Sequence, residues 1–308
     1  MNLSVIIPTY NAKDLLAKLL LRLRSQSVDF ELVIIDSSST DGSAELAKAS
    51  ADTFLSIPKD RFDHGGTRTM AAKAAKGELL LFLTQDALPN SEHALANLLQ
   101  ALDNPMVGAA FGRQLPYENT SLFGKHLRYF NYPQKSYIRT LSDKEHYGLK
   151  TVFFSDSFSV YRRSVLAEVG WFKDGLIVGE DMYVIAKILM AGHKIAYRAD
   201  ATVLHAHDYT LLEDFRRYFD TGVFHERESW LIDVFGKAEG EGGRYVKSEF
   251  RFLLQEKAYS KIPEFVLRNG LKYLGYTLGR HYQYIPYKIT KILSMHSRWW
   301  HPHHSIKE

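Results

Sequence analysis

The chain has 308 residues, of which 45% are hydrophobic and 24% are charged, and it contains no cysteine. This composition excludes a disordered, collagen-like or coiled-coil protein, and the length suits one large α/β domain or a domain with an appendage. Without cysteine there is no disulfide, no thiolate nucleophile and no cysteine-ligated metal. We therefore expect the chain to work in the reducing cytoplasm.

The N-terminal residues lack the basic start, long apolar stretch and cleavage site of a signal peptide, and residues 1–8 are instead typical of a first strand. The most apolar run elsewhere, residues 79–83, is far shorter than the roughly 18 residues that cross a bilayer. We expect no transmembrane helix.

The positive charge is concentrated near the C-terminus. Residues 226–308 contain 14 Lys/Arg against 9 Asp/Glu, whereas residues 1–225 contain 25 against 26. Residues 265–307 carry seven basic side chains and no acidic one, interleaved with tyrosine and tryptophan. This mixture favours contact with an anionic membrane surface. A solvated helical face is the alternative, and we do not expect nucleic acid as a partner.

The first half of the chain shows an alternating strand and helix pattern. Continuous apolar runs predict buried strands of a parallel sheet, and leucines at helical spacing predict a helix between the first two. The predicted strands are 3–8, 31–35 and 79–83, and the predicted helices are 15–23, 44–49 and 91–102. This pattern is typical of an α/β sheet with flanking helices.

The second half continues this pattern less regularly, and we make no assignment between residues 112 and 150. Further strands are predicted at 107–111, 151–154, 194–197 and 201–204, and helices at 180–190, 210–221 and 245–278. Glycines between residues 236 and 243 predict a linker. We therefore expect a domain of residues 1–235 and a basic, aromatic-rich helical C-terminal region of residues 244–308.

Polar residues follow several predicted strands directly. They are Thr9-Tyr10-Asn11, Asp36, Gln85-Asp86 and His205-Ala206-His207-Asp208. Because an open parallel sheet binds ligands at the carboxyl ends of its strands, these side chains should converge and could hold a divalent cation and a diphosphate. Glu180 and Asp181, at a predicted helix start, add carboxylates suited to proton abstraction. The chain lacks dinucleotide-binding, P-loop and hydrolase-elbow motifs, which disfavours those classes.

In their order and spacing, these segments resemble the inverting family-two glycosyltransferases of the GT-A fold, and among them bacterial rhamnosyltransferases of polysaccharide and O-antigen synthesis. The resemblance covers roughly residues 3–225. The segments that carry it are Ser4–Asn11, Asp36–Gly42, Phe62–Arg68, Leu83–Ala87, Gly179–Asp181 and His205–His207. It implies a Rossmann-like, mostly parallel mixed sheet flanked by helices, with a helical C-terminal extension.

The resemblance also implies a nucleotide-sugar site. Pro8, Thr9 and Tyr10 would line the base pocket, and Asp36 would accept a hydrogen bond from the pyrimidine N3–H of uracil or thymine. Arg68 would lie near the diphosphate, where a guanidinium matches phosphate oxygens. Gln85 would complete this donor site beside Asp86.

Asp86 occupies the last position of the family's Asp-x-Asp motif, which holds Mg²⁺ or Mn²⁺. The family usually has an acid two residues earlier, where this chain has Thr84. The resemblance therefore implies a metal bound by Asp86 and His205, with His207 as the alternative histidine.

For catalysis the resemblance implies that Asp181 is the general base that deprotonates the acceptor hydroxyl, so that the anomeric centre inverts in one displacement. Glu180 would orient the acceptor or a neighbour, with a swap of the two roles left open. Asp156 would meet the acceptor. The structural alternatives are helix capping by these acids and a tight turn at residues 63–66.

The implied activity is transfer of a deoxyhexose, L-rhamnose from dTDP-β-L-rhamnose, to a lipid-linked or growing polysaccharide at the cytoplasmic face of the membrane. One alternative is a UDP-sugar donor, and another is a catalytically silent polysaccharide- or membrane-binding module of the same fold. A nucleotidyltransferase is disfavoured because residues 9–13 do not form its glycine-rich basic loop.

Overall fold

A computed structural model describes residues 2–236 and 240–300, and its core is one mixed sheet of nine strands. The strands are β1 (Leu3–Thr9), β2 (Glu31–Asp36), β3 (Thr53–Ser56), β4 (Leu79–Leu83), β5 (Leu88–Pro89), β6 (Val107–Leu115), β7 (Tyr137–Arg139), β8 (Phe158–Arg162) and β9 (Lys194–Leu204).

Helices flank the sheet and form most of the C-terminal region. They are α1 (Lys13–Arg24), α2 (Ser43–Ser50), α3 (His64–Ala74), α4 (Ala94–Leu99), α5 (Leu122–Asn131), α6 (Lys144–Tyr147), α7 (Arg163–Glu168), α8 (Glu180–Met190), α9 (Leu211–Arg227), α10 (Trp230–Phe235), α11 (Glu241–Gln255), α12 (Ile262–Arg280) and α13 (Tyr287–Leu293). Short 3-10 turns join several of them, for example at Lys59–Arg61 and Gly148–Val152.

The strand order is β3-β2-β1-β4-β8-β6-β9-β5, with β7 paired to β9. Strands β1 to β4 are parallel where they pair, β6 and β9 are parallel, and β8 runs antiparallel to both of its neighbours. The expectation of a Rossmann-like, mostly parallel mixed sheet flanked by helices is confirmed.

The apolar runs form strands because both faces of the sheet are covered. Val5 and Leu81 pack on one face with Leu16 of α1, while Ile6 and Phe82 pack on the other. All five side chains are fully buried. A strand buried on two faces needs a continuous apolar sequence rather than an alternating one, which explains the pattern seen in the sequence.

Several of the predicted elements were wrong in kind or extent. The strand predicted at 151–154 is not formed: residues 148–152 form a 3-10 turn and the neighbouring strand is β8 at 158–162, because a short buried apolar run does not by itself show which kind of element it forms. The two strands predicted at 194–197 and 201–204 are one strand, β9, whose pairing with β6 shifts register midway. The helix predicted over 245–278 is divided between α11 and α12.

Helix α12 packs closely along α9. A Cβ atom at Gly275 or Gly279 would overlap the backbone carbonyl of Phe215 or Phe219, so the two helices approach to backbone contact. The predicted linker falls partly on residues 237–239, which lie outside the described residues, and the division at 235–244 stays a prediction. None of the helices in residues 2–236 and 240–300 is both long and apolar enough to span a membrane.

Candidate active site

An open cleft of about 770 Å³ lies at the carboxyl edge of the sheet. Its walls come from the ends of β1, β2 and β4, from the start of α3, and from the last described stretch of the chain. The lining residues include Tyr10, Ser37, Lys59, Phe62, His64, Gln85, Leu176, Ile177 and residues 295–299. The topology therefore brings the predicted donor-site segments to one place.

Asp36 ends β2 beside this cleft and is 1% exposed. One carboxylate oxygen, Oδ2, accepts the backbone N–H of Ser39 at 2.9 Å. The other, Oδ1, is buried and has no hydrogen-bond partner among the described residues. Buried polar atoms are rarely left unpaired, so Asp36 offers an acceptor next to Ser37, which lines the cleft.

Gln85 ties the end of β4 to the end of β1. Its Oε1 accepts the Thr9 hydroxyl and the Tyr10 backbone N–H, both at 2.9 Å. The Lys59 ammonium lies 4.0 Å from the centre of the Tyr10 ring. Pro8 is half-buried within β1, one residue before this bridge. The side chains predicted for the donor pocket are thus held together, with Lys59 as an added cation.

Asp86, His205 and His207 form a cluster whose candidate ligand atoms all lie within 4.8 Å of one another. The Nε2 atoms of His205 and His207 lie 3.4 and 3.5 Å from the two carboxylate oxygens of Asp86. One carboxylate and two imidazoles on one side of a small space are a donor set that suits a divalent cation. Both histidines, rather than one of them, face Asp86.

A contact at the ring nitrogen that faces away from Asp86 fixes the orientation of His205. Its Nδ1 lies 2.8 Å from Oε1 of Gln114, an acceptor, and a proton on Nδ1 would satisfy this contact and leave Nε2 available to a cation beside Asp86. The guanidinium of Arg128 donates to the same Gln114 oxygen. Such support for the far nitrogen is the arrangement that metal-binding histidines use.

The charges in this cluster also suit a cation. Burial alone would raise the pKa of Asp86, but hydrogen bonding and charge from His205, Thr84 and His207 hold the pKa well below its usual value. Burial and the neighbouring His205 lower the pKa of His207 to about 4. At pH 7 the carboxylate is therefore ionised and the His207 imidazole is neutral, as metal ligation requires.

A second cluster contains Arg68, Asp156, Glu180 and Asp181. The Arg68 guanidinium lies 2.9 Å from Oε1 of Glu180 and 3.6 Å from Oδ2 of Asp156, and all three side chains are buried. Asp156 also accepts hydroxyl hydrogen bonds from Ser159 and Tyr161, at 2.8 and 2.6 Å. Arg68 thus faces carboxylates here, and it is not among the residues that line the cleft.

The carboxylates of this cluster differ in basicity. Burial would raise the pKa of Glu180, but the charges of Arg68 and then His64 hold the pKa below its usual value. Burial, with the negative charges of Glu180 and Asp156, raises the pKa of Asp181 well above its usual value. Burial likewise raises the pKa of Asp156, to about 6. The Glu180 carboxylate is paired with an arginine, while the carboxylate of Asp181 is the more basic of the two, and acid–base sites use such a difference between neighbouring carboxylates.

Sequence reasoning missed several residues of the site. Asp63 caps α3 by accepting the Gly66 N–H at 2.6 Å, and this places His64 in the cleft wall, 3.9 Å from Glu180. The tight turn, which was the structural alternative for residues 63–66, is not what forms: these residues are a capped helix start, which the position of Asp63 before a helical stretch could have indicated. The contribution of residues 295–299 had no local signal in the sequence.

Comparison with known proteins agrees with this geometry. Residues 4–170 match the family described as "Glycosyl transferase family 2". The chain is 42% identical over 303 residues to the O-antigen chain rhamnosyltransferase RfbN of Salmonella typhimurium, covering 97% of this chain and 96% of that protein. It is 41% identical over 300 residues to the O-antigen chain rhamnosyltransferase WbaN of Salmonella anatum, covering 96% and 95%.

Solved structures share the fold at low sequence identity. A mannosyltransferase from Pyrobaculum calidifontis in complex with GDP-Man and Mn²⁺ matches with a TM-score of 0.59 at 19% identity, over 97% of this chain and 85% of that one. TarS 1-349 of S. aureus in complex with UDP-GlcNAc matches with a TM-score of 0.57 at 19% identity, over 96% and 84%. Both have the GT-A arrangement. With two relatives above 40% identity along nearly the whole chain, this protein is a glycosyltransferase that belongs to glycosyl transferase family 2.

Proposed function

We propose that the protein transfers L-rhamnose from dTDP-β-L-rhamnose to a lipid-linked or growing O-antigen-type polysaccharide, with inversion at the anomeric carbon. The observation that carries this proposal is the convergence of two clusters at one edge of the sheet: the cation-binding set around Asp86 and the carboxylate set around Asp181. The names of the relatives RfbN and WbaN support rhamnose as the transferred sugar and O-antigen chains as the product.

The donor occupies the cleft, with its base against Tyr10 and its N3–H directed to the unpaired oxygen of Asp36. Thymine and uracil both supply that N–H, so the choice of base depends on whether the pocket accepts the thymine methyl, a difference of about 1 kcal/mol. Pro8, Thr9 and Gln85 hold the pocket walls. Lys59 adds positive charge near Tyr10.

Asp86, His205 and His207 are the residues that would hold Mg²⁺ or Mn²⁺, and the geometry of their donor atoms fits such an ion. When bound, a divalent cation neutralises charge that develops on the diphosphate leaving group. Gln114 keeps His205 in the orientation this requires.

Asp181 removes the proton from the acceptor hydroxyl as that oxygen attacks the anomeric carbon. Burial and the charges of Glu180 and Asp156 raise its pKa, which makes its carboxylate a better proton acceptor than that of an exposed aspartate. Glu180 forms an ion pair with Arg68, with 2.9 Å between Oε1 and the guanidinium. In this proposal Glu180 therefore orients its neighbours and does not compete for the proton. Asp156, on the same arginine, borders the acceptor side.

The acceptor's lipid places the enzyme at the cytoplasmic face of the membrane. Helix α11 supports this, because Val246, Phe250 and Leu254 form a partly exposed apolar row, each 37–38% exposed. Lys247 and Arg251 line an adjoining groove of about 520 Å³. Basic and apolar side chains on one helix suit an anionic lipid surface. In this proposal residues 1–235 form most of the catalytic domain, and the exposed basic and apolar face of α11, in the region of residues 244–308, faces the membrane.

The donor is tested by thermal shift of the purified chain with dTDP, UDP and GDP, each with Mn²⁺ and with chelator. Stabilisation by dTDP above UDP that disappears with chelator is expected. A preference for UDP would refute the rhamnose donor while keeping the enzyme class, and no response to any nucleotide would favour a silent binding module.

Transfer itself is tested with dTDP-rhamnose and a lipid-linked acceptor. The variant Asp181→Asn should lose transfer by more than about 100-fold while binding dTDP as the wild type does. The matched variant Glu180→Gln should lose less. Unchanged transfer by Asp181→Asn would refute its role as the base.

The membrane role is tested by co-flotation of the full chain with vesicles of phosphatidylglycerol and with vesicles of phosphatidylcholine alone. Flotation with the anionic vesicles only, weakened by Lys247→Glu with Arg251→Glu, is expected. Equal behaviour with both kinds of vesicle would refute charge-dependent association.

A further inference from the structure

The last described stretch of the chain forms one wall of the donor cleft. Residues 295–299, called here the strap, line the cleft together with Tyr10, Lys59 and Gln85. Only Ser294 separates the strap from the end of α13, so the strap belongs to the basic C-terminal region. This stretch of that region therefore faces the proposed donor site.

The strap is anchored at both ends. At its start, Oδ2 of the buried Asp220 accepts the backbone N–H groups of Met295 and His296, at 2.9 and 3.1 Å. At its end, the Trp299 indole N–H donates to the Gly175 carbonyl at 2.9 Å, and Trp299 is 8% exposed. The backbone between these points is held in place before any ligand binds.

Between the anchors the strap carries two side chains with nitrogen donors, Arg298 and His296. Arg298 is exposed at the cleft, and its guanidinium has no hydrogen-bond or ion-pair partner within residues 2–236 and 240–300. The His296 ring lies 5.4 Å from that of His64, which is itself 3.9 Å from Glu180. The strap thus runs from the open cleft to the edge of the carboxylate cluster.

We propose that the strap is part of the donor site, that Arg298 binds the diphosphate of the nucleotide sugar, and that Asp220 is the positioning residue that holds the strap. This inference rests on the proposed function. Arg68, the arginine expected at the diphosphate, is engaged by Glu180 and Asp156, whereas Arg298 is free to pair. A guanidinium matches phosphate oxygens, and the prior anchoring lowers the entropy lost on binding.

The test is isothermal titration of the full chain with dTDP and with thymidine, in Mn²⁺. Arg298→Ala should bind dTDP about tenfold more weakly, as expected for one lost charge-assisted hydrogen bond, and thymidine unchanged. Arg298→Lys should lose less. Arg22→Ala, an exposed arginine in the last turn of α1, is the matched control and should behave as wild type.

Asp220 is tested in the same assay by two variants. Asp220→Ala removes the acceptor of both strap N–H groups and should weaken dTDP binding, whereas Asp220→Asn keeps an acceptor oxygen and should not. Wild-type affinity for dTDP in both Arg298→Ala and Asp220→Ala would overturn the strap's role while leaving the donor site intact. Failure of the wild-type chain to bind dTDP or UDP would refute the proposed donor site itself, and the strap's role with it.

Discussion

The positive charge of Arg68 lies against two buried carboxylates, those of Glu180 and Asp156. Replacing Arg68 should therefore destabilise the protein in the absence of any ligand. The guanidinium is 2.9 Å from Glu180 and 3.6 Å from Asp156, with side-chain exposures of 8%, 10% and 2% respectively. At an effective dielectric of about 20, these separations correspond to roughly 6 and 5 kcal/mol of attraction. Desolvation offsets most of that, and removing one partner of a buried pair typically costs about 3–5 kcal/mol.

The variant Arg68→Met keeps much of the side-chain volume and removes the charge, so we expect a loss of about 3–5 kcal/mol in the free energy of unfolding at pH 7.5. Arg68 depresses the pKa of Glu180, and stability from a depressed carboxyl pKa is present above the unfolded pKa and lost as pH falls through the folded value. The deficit should therefore shrink at pH 4.

Urea unfolding of the nucleotide-free chain at both pH values measures this effect. Arg22→Met, at an exposed arginine, is the matched control, and the double variant Arg68→Met with Glu180→Gln should recover part of the loss. A deficit below about 1 kcal/mol at pH 7.5 would show that Arg68 does not stabilise the folded chain.

Three further predictions concern acidic groups and the cation site. Asp156→Asn removes a negative charge that raises the pKa of Asp181, so the acidic limb of the pH profile of kcat/KM should move to lower pH. His205→Ala should lower the affinity for Mn²⁺ by about tenfold or more, while binding of thymidine persists. The measurement is the Mn²⁺ concentration needed for the thermal shift with dTDP. Burial raises the pKa of Asp220 to about 7, so its ionisation opposes folding. Asp220→Asn should therefore be more stable than wild type above pH 7, by roughly 4 kcal/mol at most, and the difference should close as pH falls toward 4.

Each of these expectations has a contrary outcome. An acidic limb that stays in place in Asp156→Asn would separate that residue from the base. Equal Mn²⁺ dependence in His205→Ala would remove the histidine from the cation site. A stability difference for Asp220→Asn that does not change with pH would show that Asp220 is not protonated in the native state near neutrality.

The parts of the site that the sequence made predictable follow one rule. In an open parallel sheet the residues after each strand meet at the same edge, and Thr9, Asp36, Asp86 and His205 each follow a buried apolar run. Because those runs are long and continuous, the strands and therefore the edge could be located from local sequence alone. The sequence analysis left open which of His205 and His207 binds the metal, although side chains two residues apart in an extended segment share a face, and both imidazoles lie beside Asp86.

Other parts depend on contacts between distant segments. Arg68 meets Glu180 across more than a hundred residues, and no local pattern shows that the guanidinium faces carboxylates instead of the cleft. The strap reaches the cleft at the carboxyl edge of the sheet only because α9, α12 and α13 bring it back across the molecule. The aromatic residues of the C-terminal region were interpreted as facing lipid, yet Trp299 and Trp300 are buried, at 8% and 4% exposure.

The backbone contact between α9 and α12 has a consequence for recombining related enzymes. Gly275 and Gly279 fit only against a partner helix whose carbonyls at Phe215 and Phe219 lie where they do here. A chimaera that joins the first part of this chain to the last part of a relative should therefore fold only if the crossover precedes α9, so that both helices come from one parent. The strap and the C-terminal surface would then be inherited as a single unit with α9 and α12. A crossover placed at the glycine-rich segment after α10 would instead separate the two halves of the α9–α12 interface.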